Sequence, residues 1–295
     1  MKSKSWPVII FVLALALRVG AAEMDTAKIE QIIGVKGTLN TNENVFKVAS
    51  PRNDVKVSVD GWTMPPFMGL GSWAAFTPGM DQTMVMGDTV LFQDEVNPVM
   101  SVALDNGLSV TALHNHFFYD EPKVYFMHIS GIGSEEHLAT AVKKVWDKIK
   151  EIRAANPQPA TTFGGTPLLS KSSITGKTIE DILGVKGQAN NGMFKVVIGR
   201  TAKMSGMEVG KEMGVNTWAA FAGSDDNAIV DGDFTVHEDE LQGVLKALRK
   251  GGINIVAIHN HMTDETPRTL FLHYWGKGSV KDLAKSLKVA LAQTK

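Results

Sequence analysis

The 295-residue sequence predicts an α+β protein of two homologous domains, each a mostly antiparallel sheet covered by helices. The first observation behind this is a repeat. "IEQIIGVKG" at 29–37 returns as "IEDILGVKG" at 179–187, an offset of 150, and "SWAAF" at 72–76 returns as "TWAAF" at 217–221, an offset of 145 that then holds. Several anchors in one register mark an internal duplication. The second observation is that, inside each copy, strand-like runs bounded by turn residues are interspersed with segments at helical spacing.

Each element has a local reason. In the second copy "IEDIL" opens a short helix, "MFKVVIGR" reads as a strand, and "TWAAFAG" and "NAIVDGDFTV" flank the polar turn "SDDN" as a hairpin. "HEDELQGVLKALRKGG" places Leu241, Val244, Leu245 and Leu248 at helical spacing and stops on basic residues and two glycines. "INIVAIHNH" and "TLFLHYWG" are the next strands, and "SVKDLAKSLKVAL" is a closing helix begun by Ser279. The first copy keeps this order and ends on the helix "EEHLATAVKKVWDKIKEI". Residues 156–178, dominated by Pro, Gly, Ser and Thr, read as a linker between domains at 23–155 and 179–295.

Residues 1–22 read as a secretory signal peptide: Lys2 and Lys4 precede an apolar run from Trp6 to Leu17, and small residues suit cleavage after Ala21 or Ala22. No comparable run recurs, so no stable membrane insertion is expected after cleavage, and the mature protein is expected in the periplasm or secreted. Without Lys2, Lys4 and Arg18, 27 basic residues face 31 acidic ones. That balance gives no electrostatic basis for a nucleic-acid partner. Cysteine is absent, which excludes disulfides, thiolate ligands and cysteine nucleophiles. A metal would be held by imidazole and carboxylate, with methionine as a soft addition.

Six of the eight histidines lie in two matched stretches, "VTALHNHFFYDEPKVYFMHISG" at 110–131 and "IVAIHNHMTDETPRTLFLHYWG" at 255–276. Along a strand His259 and His261 share a face, with Ala257 and Ile255 behind them; His114 and His116 match, with Ala112 and Val110 behind. His273 and His128 follow on the next strand. If the hairpin register turns them to the same face, His259, His261 and His273 with Glu265, and His114, His116 and His128 with Asp120, form three-histidine, one-carboxylate sets. Such sets suit a transition metal ion: zinc, copper, iron or manganese. A hydrogen-bonded polar layer of imidazoles, or a small anionic ligand held by histidine and basic side chains, explains the same pattern. Lys123 and Arg268 are read as neutralising the neighbouring carboxylates, and Asn115 and Asn260 as tying down loops. Trp73, Trp218 and the tyrosines, including Tyr274, are read first as core. Asp88 and Asp233, in "MGD" and "DGD", are read as shaping turns, and His137 and His237 as solvated.

Together "MGVNTWAAFAG", "DGDFTV", "AIHNHMTDETPR" and "LFLHYWGKG" resemble the bacterial LppY/LpqO family of exported proteins with a duplicated unit. The resemblance covers nearly all of the mature chain and implies export and a two-unit architecture; it supplies no activity for His259, His261, Glu265 or His273. Some of that family are lipoproteins, and a chain without cysteine departs from them. Two function classes stay open. One is a periplasmic protein binding a metal ion or small ligand through histidine and carboxylate. The other is a metal-dependent enzyme that polarises a small oxygen-containing substrate or activates water. A third reading packs the halves face to face around one composite cleft, and a non-catalytic structural protein with a polar histidine layer is the remaining alternative. No nucleophile elbow, phosphate loop or dinucleotide fingerprint names a reaction.

Overall fold

The computed structural model describes residues 24–295, so the expected signal peptide lies outside the described residues. The first half runs α1 (Thr26–Ile33), β1 (Gly37–Asn40), β2 (Val45–Pro51), β3 (Ser58–Val59), β4 (Trp62–Thr63), β5 (Gly71–Pro78), β6 (Thr83–Phe92), α2 (Gln93–Asp105), β7 (Ser109–His114), β8 (Asp120–Glu121), β9 (Val124–Gly133) and α3 (Glu135–Ala155). The second runs α4 (Gly176–Leu183), β10 (Gly187–Asn190), β11 (Met193–Gly199), β12 (Ala202–Met204), β13 (Met207–Val209), β14 (Asn216–Gly223), β15 (Ala228–His237), α5 (Leu241–Lys250), β16 (Asn254–His259), β17 (Glu265–Thr266), β18 (Thr269–Gly278) and α6 (Val280–Leu291).

The α+β duplication is therefore present, each half an antiparallel sheet wrapped by helices. The two sheets are also one: twelve strands run in the order β1-β2-β5-β6-β9-β7-β16-β18-β15-β14-β11-β10. This order is palindromic about the β7–β16 junction, where Leu113 pairs with its own counterpart Ile258. A single bridging pair leaves edge backbone groups to be satisfied, and two side-chain amides do so reciprocally. Asn97 Oδ1 accepts from Ile255 N at 2.7 Å and its Nδ2 donates to Ile255 O at 3.1 Å. The equivalent Gln242 does the same for Val110, at 2.9 Å in both directions.

All the helices cover one face. Leu104, Val142 and Trp146 of the first half and Leu245, Leu248 and Leu287 of the second meet Val85, Ile129, Phe234 and Tyr274 from the strands in one core. Each such side chain contributes about 1.5–3 kcal/mol by leaving water. The helical spacing in α5 is realised, with Leu241, Val244, Leu245 and Leu248 buried. Ser279 caps α6 by accepting from Asp282 N at 3.1 Å.

A β-bulge in each joining strand, between Val110 and Ala112 and between Ile255 and Ala257, overturns simple strand parity. It sends Val110 and Ile255 to the helix-covered face, where both are buried, so that Ala112 and Ala257 alone stand beside the histidines. Tyr274 also lies on the helix side. It faces Gly232, where an added Cβ would come within 2.2 Å of the ring, and its hydroxyl donates to Trp218 O at 2.8 Å. Burial pushes its phenol well up, so it stays a neutral core donor.

The opposite face carries the histidines, and near it lie the small sheets β4-β3-β8 and β13-β12-β17. Among the described residues no helix is long and apolar enough to cross a membrane.

Candidate metal centre

Strand pairing writes the open face of the second half as rows. Trp218, Asp233, His273 and Ala257 stand side by side across β14, β15, β18 and β16, and the next row holds Thr235, Phe271 and His259. Asp233 is thus a mid-strand residue, its side chain 4% exposed, and its Oδ2 lies 3.1 Å from His261 Nε2 and 4.0 Å from His259 Nε2. The two Nε2 atoms are 3.1 Å apart. A point equidistant from these three atoms lies about 2.0 Å from each, the distance at which imidazole and carboxylate bind a first-row metal ion.

His261 stands beyond the end of β16, so strand geometry does not aim it. Two contacts do. Its ring lies flat on Phe271, centroids 3.5 Å apart and planes at 12°. Its Nδ1 is 3.2 Å from Gly214 O, and because a carbonyl only accepts, Nδ1 carries the hydrogen and Nε2 presents its lone pair. Gly214 closes the 3-10 turn Lys211–Met213 with φ +85°, a left-handed conformation that glycine takes without a Cβ penalty.

The electrostatics favour electron-rich ligands. Burial, the largest influence, together with His273 and His261, outweighs the pull of Asp233 and holds His259 below the ordinary imidazole value of 6.5. Asp233 Oδ1 and His259 Nδ1 are buried and, among the described residues, without hydrogen-bond partners. A buried carboxylate facing lone pairs is costly unless a proton or cation sits between them. Asp233, His259 and His261 form a cluster that can coordinate a metal ion.

The expected carboxylates point elsewhere. Glu265 Oε1 accepts from Thr269 N at 3.0 Å and lies 3.7 Å from Arg268, and Asp120 accepts from Val124 N at 2.7 Å and from Lys123 at 3.0 Å. Each ties down its own connection, whose backbone N–H needs an acceptor, and the carboxylate that converges with the histidines is Asp233 rather than Glu265. His273 stacks on His259, centroids 4.4 Å apart, and is not among the three converging donors. Lys123 and Arg268 do face the carboxylates as read.

In the first half the matched groups settle differently. His114 Nε2 lies 3.1 Å from His128 Nε2, making an imidazole pair, while His116 lies flat on Phe126 at 3.5 Å with Phe117 edge-on at 5.8 Å. Asp88 is buried opposite His128, and its Oδ1 also has no partner among the described residues. Burial first, then His114, lowers the His116 pKa, with Asp88 opposing.

Asp233, read from sequence as shaping a turn, is the cluster residue that reading misassigned, and its counterpart Asp88 is likewise a buried mid-strand residue. The glycine beside each suggested a turn, whereas that glycine marks the opposite face of the same strand. A charged residue repeated inside an apolar strand in both copies was the available signal. Trp73 and Trp218 are likewise not core but lie on the open face beneath Lys47 and Lys195, at 4.4 and 4.0 Å. His237 is not solvated: its Nδ1 accepts from Arg200 at 3.1 Å.

The family model described as Domain of Unknown Function (DUF1259) matches residues 27–148 and 177–293. The chain belongs to that family, and this match replaces the LppY/LpqO resemblance. No curated protein matches the chain. Among solved structures, a trimeric bacterial microcompartment shell protein PduB is 10% identical, with 87% of this chain and 89% of that one covered and a TM-score of 0.24. A double-ringed trimeric shell protein of the RMM microcompartment is 12% identical, with 73% and 83% covered and a TM-score of 0.19. Scores this low carry no inference about either fold or function.

Proposed function

We propose that this DUF1259-family chain binds one transition metal ion in its second half, through Asp233, His259 and His261, and acts as an exported metal-ion or small-ligand binding protein of the periplasm or the secreted fraction. The observation that supports it is the convergence of a buried carboxylate oxygen and two imidazole Nε2 atoms on one point at metal-ligand distance. Three protein ligands leave a coordination position for a small molecule. That same count favours a second reading, a metal-dependent enzyme in which the ion polarises a substrate oxygen or activates water.

Calorimetric titration of untagged protein with Zn²⁺, Cu²⁺ and Mn²⁺ tests the binding reading. One equivalent of at least one ion is expected, lost in Asp233→Asn; no uptake of any ion sinks it. Catalysis requires turnover that disappears in the same variant. Export rests on the pattern of residues 1–22, and N-terminal sequencing of periplasmic protein should begin at residue 22 or 23.

A further inference from the structure

A cleft of about 600 Å³ opens directly beside the cluster, with Asp233 and His261 in its wall. Lys186, Lys195 and Lys211 line it against only Glu212 and Asp233. The three lysines are not equivalent. Lys186 is paired to Glu180 at 2.7 Å. Among the described residues Lys211 has only a distant partner, Glu212 at 3.9 Å, which is itself 90% exposed. Lys195 is in no ion pair among the described residues, and its ammonium is held 4.0 Å over the Trp218 ring, in the cleft.

The sheet register sets the scale. Trp218 is directly opposite Asp233, and Val197, two residues from Lys195, is directly opposite Trp218. Two strand spacings across the sheet, about 10 Å, and two residues along the strand, about 7 Å, place the backbone of Lys195 roughly 12 Å from that of Asp233, and the lysine leans over the intervening indole. The Lys195 ammonium over Trp218 and the Asp233 and His261 side chains border the same cleft. Asn216, with its Nδ2 on Lys211 O at 2.7 Å, holds the loop that carries Lys211.

The first half keeps part of this arrangement. Lys47 lies over Trp73 as Lys195 lies over Trp218. At the positions of Lys211 and Glu212, however, it has Pro66 and Phe67, the latter 99% exposed. The full cationic rim and the closed carboxylate–imidazole cluster thus occur together in one half only.

We propose that this cleft receives a small oxyanion, a carboxylate or a phosphate ester, which puts its charge on Lys195 and Lys211 and one oxygen on the ion held by Asp233, His259 and His261. The oxygen-to-ion contact rests on the metal reading above; the lysine contacts do not. A divalent ion adds to the cationic balance of the cleft, so the loaded protein binds the anion more tightly than the metal-free protein.

Titration of the full-length mature protein with phenyl phosphate and with succinate, metal-free and metal-loaded, tests this, with benzyl alcohol as the neutral control. At least one anion should bind the loaded protein, and Lys195→Met with Lys211→Gln should weaken it by about tenfold or more while leaving metal uptake intact. The preferred anion separates the phosphate source from the carboxylate source. Metal uptake without binding of either anion, or equal binding by the lysine variant, overturns this inference and leaves the metal site standing. Lysine-dependent anion binding without metal uptake overturns the metal site and upholds the lysine contacts.

Discussion

The two histidine clusters share their residue types and strand positions yet differ in what faces what. In the second half an acid oxygen and two imidazole nitrogens converge, whereas in the first two imidazoles face each other and Asp88 stays apart. The surroundings of the second imidazole differ as well. His261 is anchored by Gly214 O, while among the described residues His116 has no such bond, and Phe117 rather than Met262 follows it, within 3.8 Å of where a Cβ on Gly69 would stand. The two copies thus keep the same residue types while differing in the groups that aim them.

The largest effects should break the symmetry of this comparison outright. Changing His259 and His261 to Ala should lower metal affinity by about a hundredfold or more, since it removes ligands rather than their supports. The matched change of His114 and His116 should leave that affinity intact in the same calorimetric titration. A comparable effect on stability is expected from Arg200→Met, which strands Glu240, 1% exposed. Burial pushes the Glu240 carboxyl up, but hydrogen bonds from Arg200, Lys295 N and His237 N bring it to about 2. Urea unfolding above pH 5 should show a loss of about 3 kcal/mol. In the first half Glu95 has both Arg52 and Arg153, at 2.8 and 2.9 Å, so Arg52→Met should cost less.

A smaller effect tests the anchor. Gly214→Ala strains a left-handed residue and shifts the carbonyl that orients His261, so metal affinity should fall about tenfold, while Gly69→Ala leaves it unchanged. The smallest concerns pH. His116, His237 and His259 are all held below 6.5. The unfolded imidazoles then bind protons at a higher pH than the folded ones. The metal-free protein should lose stability as pH falls below 6.5, and His237→Gln should flatten that slope in thermal melts.

Much of the fold was legible because periodicity reports local burial: the spacing in α5, the Ser279 cap and the repeat offsets all follow from the sequence. The joined sheet was not, because its junction is a single residue pair sealed by Asn97 and Gln242, which no periodicity announces. The bulges escaped for a related reason: one extra residue reverses parity, and Ile255 reads like any other strand isoleucine. At the site, the His-Asn-His pairs stood out by residue type. Asp233 did not, because its partners come from β16 and the loop beyond it, more than twenty residues later, brought to it by the sheet register and by the Phe271 and Gly214 contacts that aim His261.

Anomalous diffraction at a metal absorption edge, from crystals of metal-loaded untagged protein, tests the asymmetry most directly. The expected map has one strong peak per chain, about 2 Å from Asp233 Oδ2, His259 Nε2 and His261 Nε2, and none among Asp88, His114, His116 and His128. Equal peaks in both halves, a peak in the first half alone, or no peak at either cluster would contradict it.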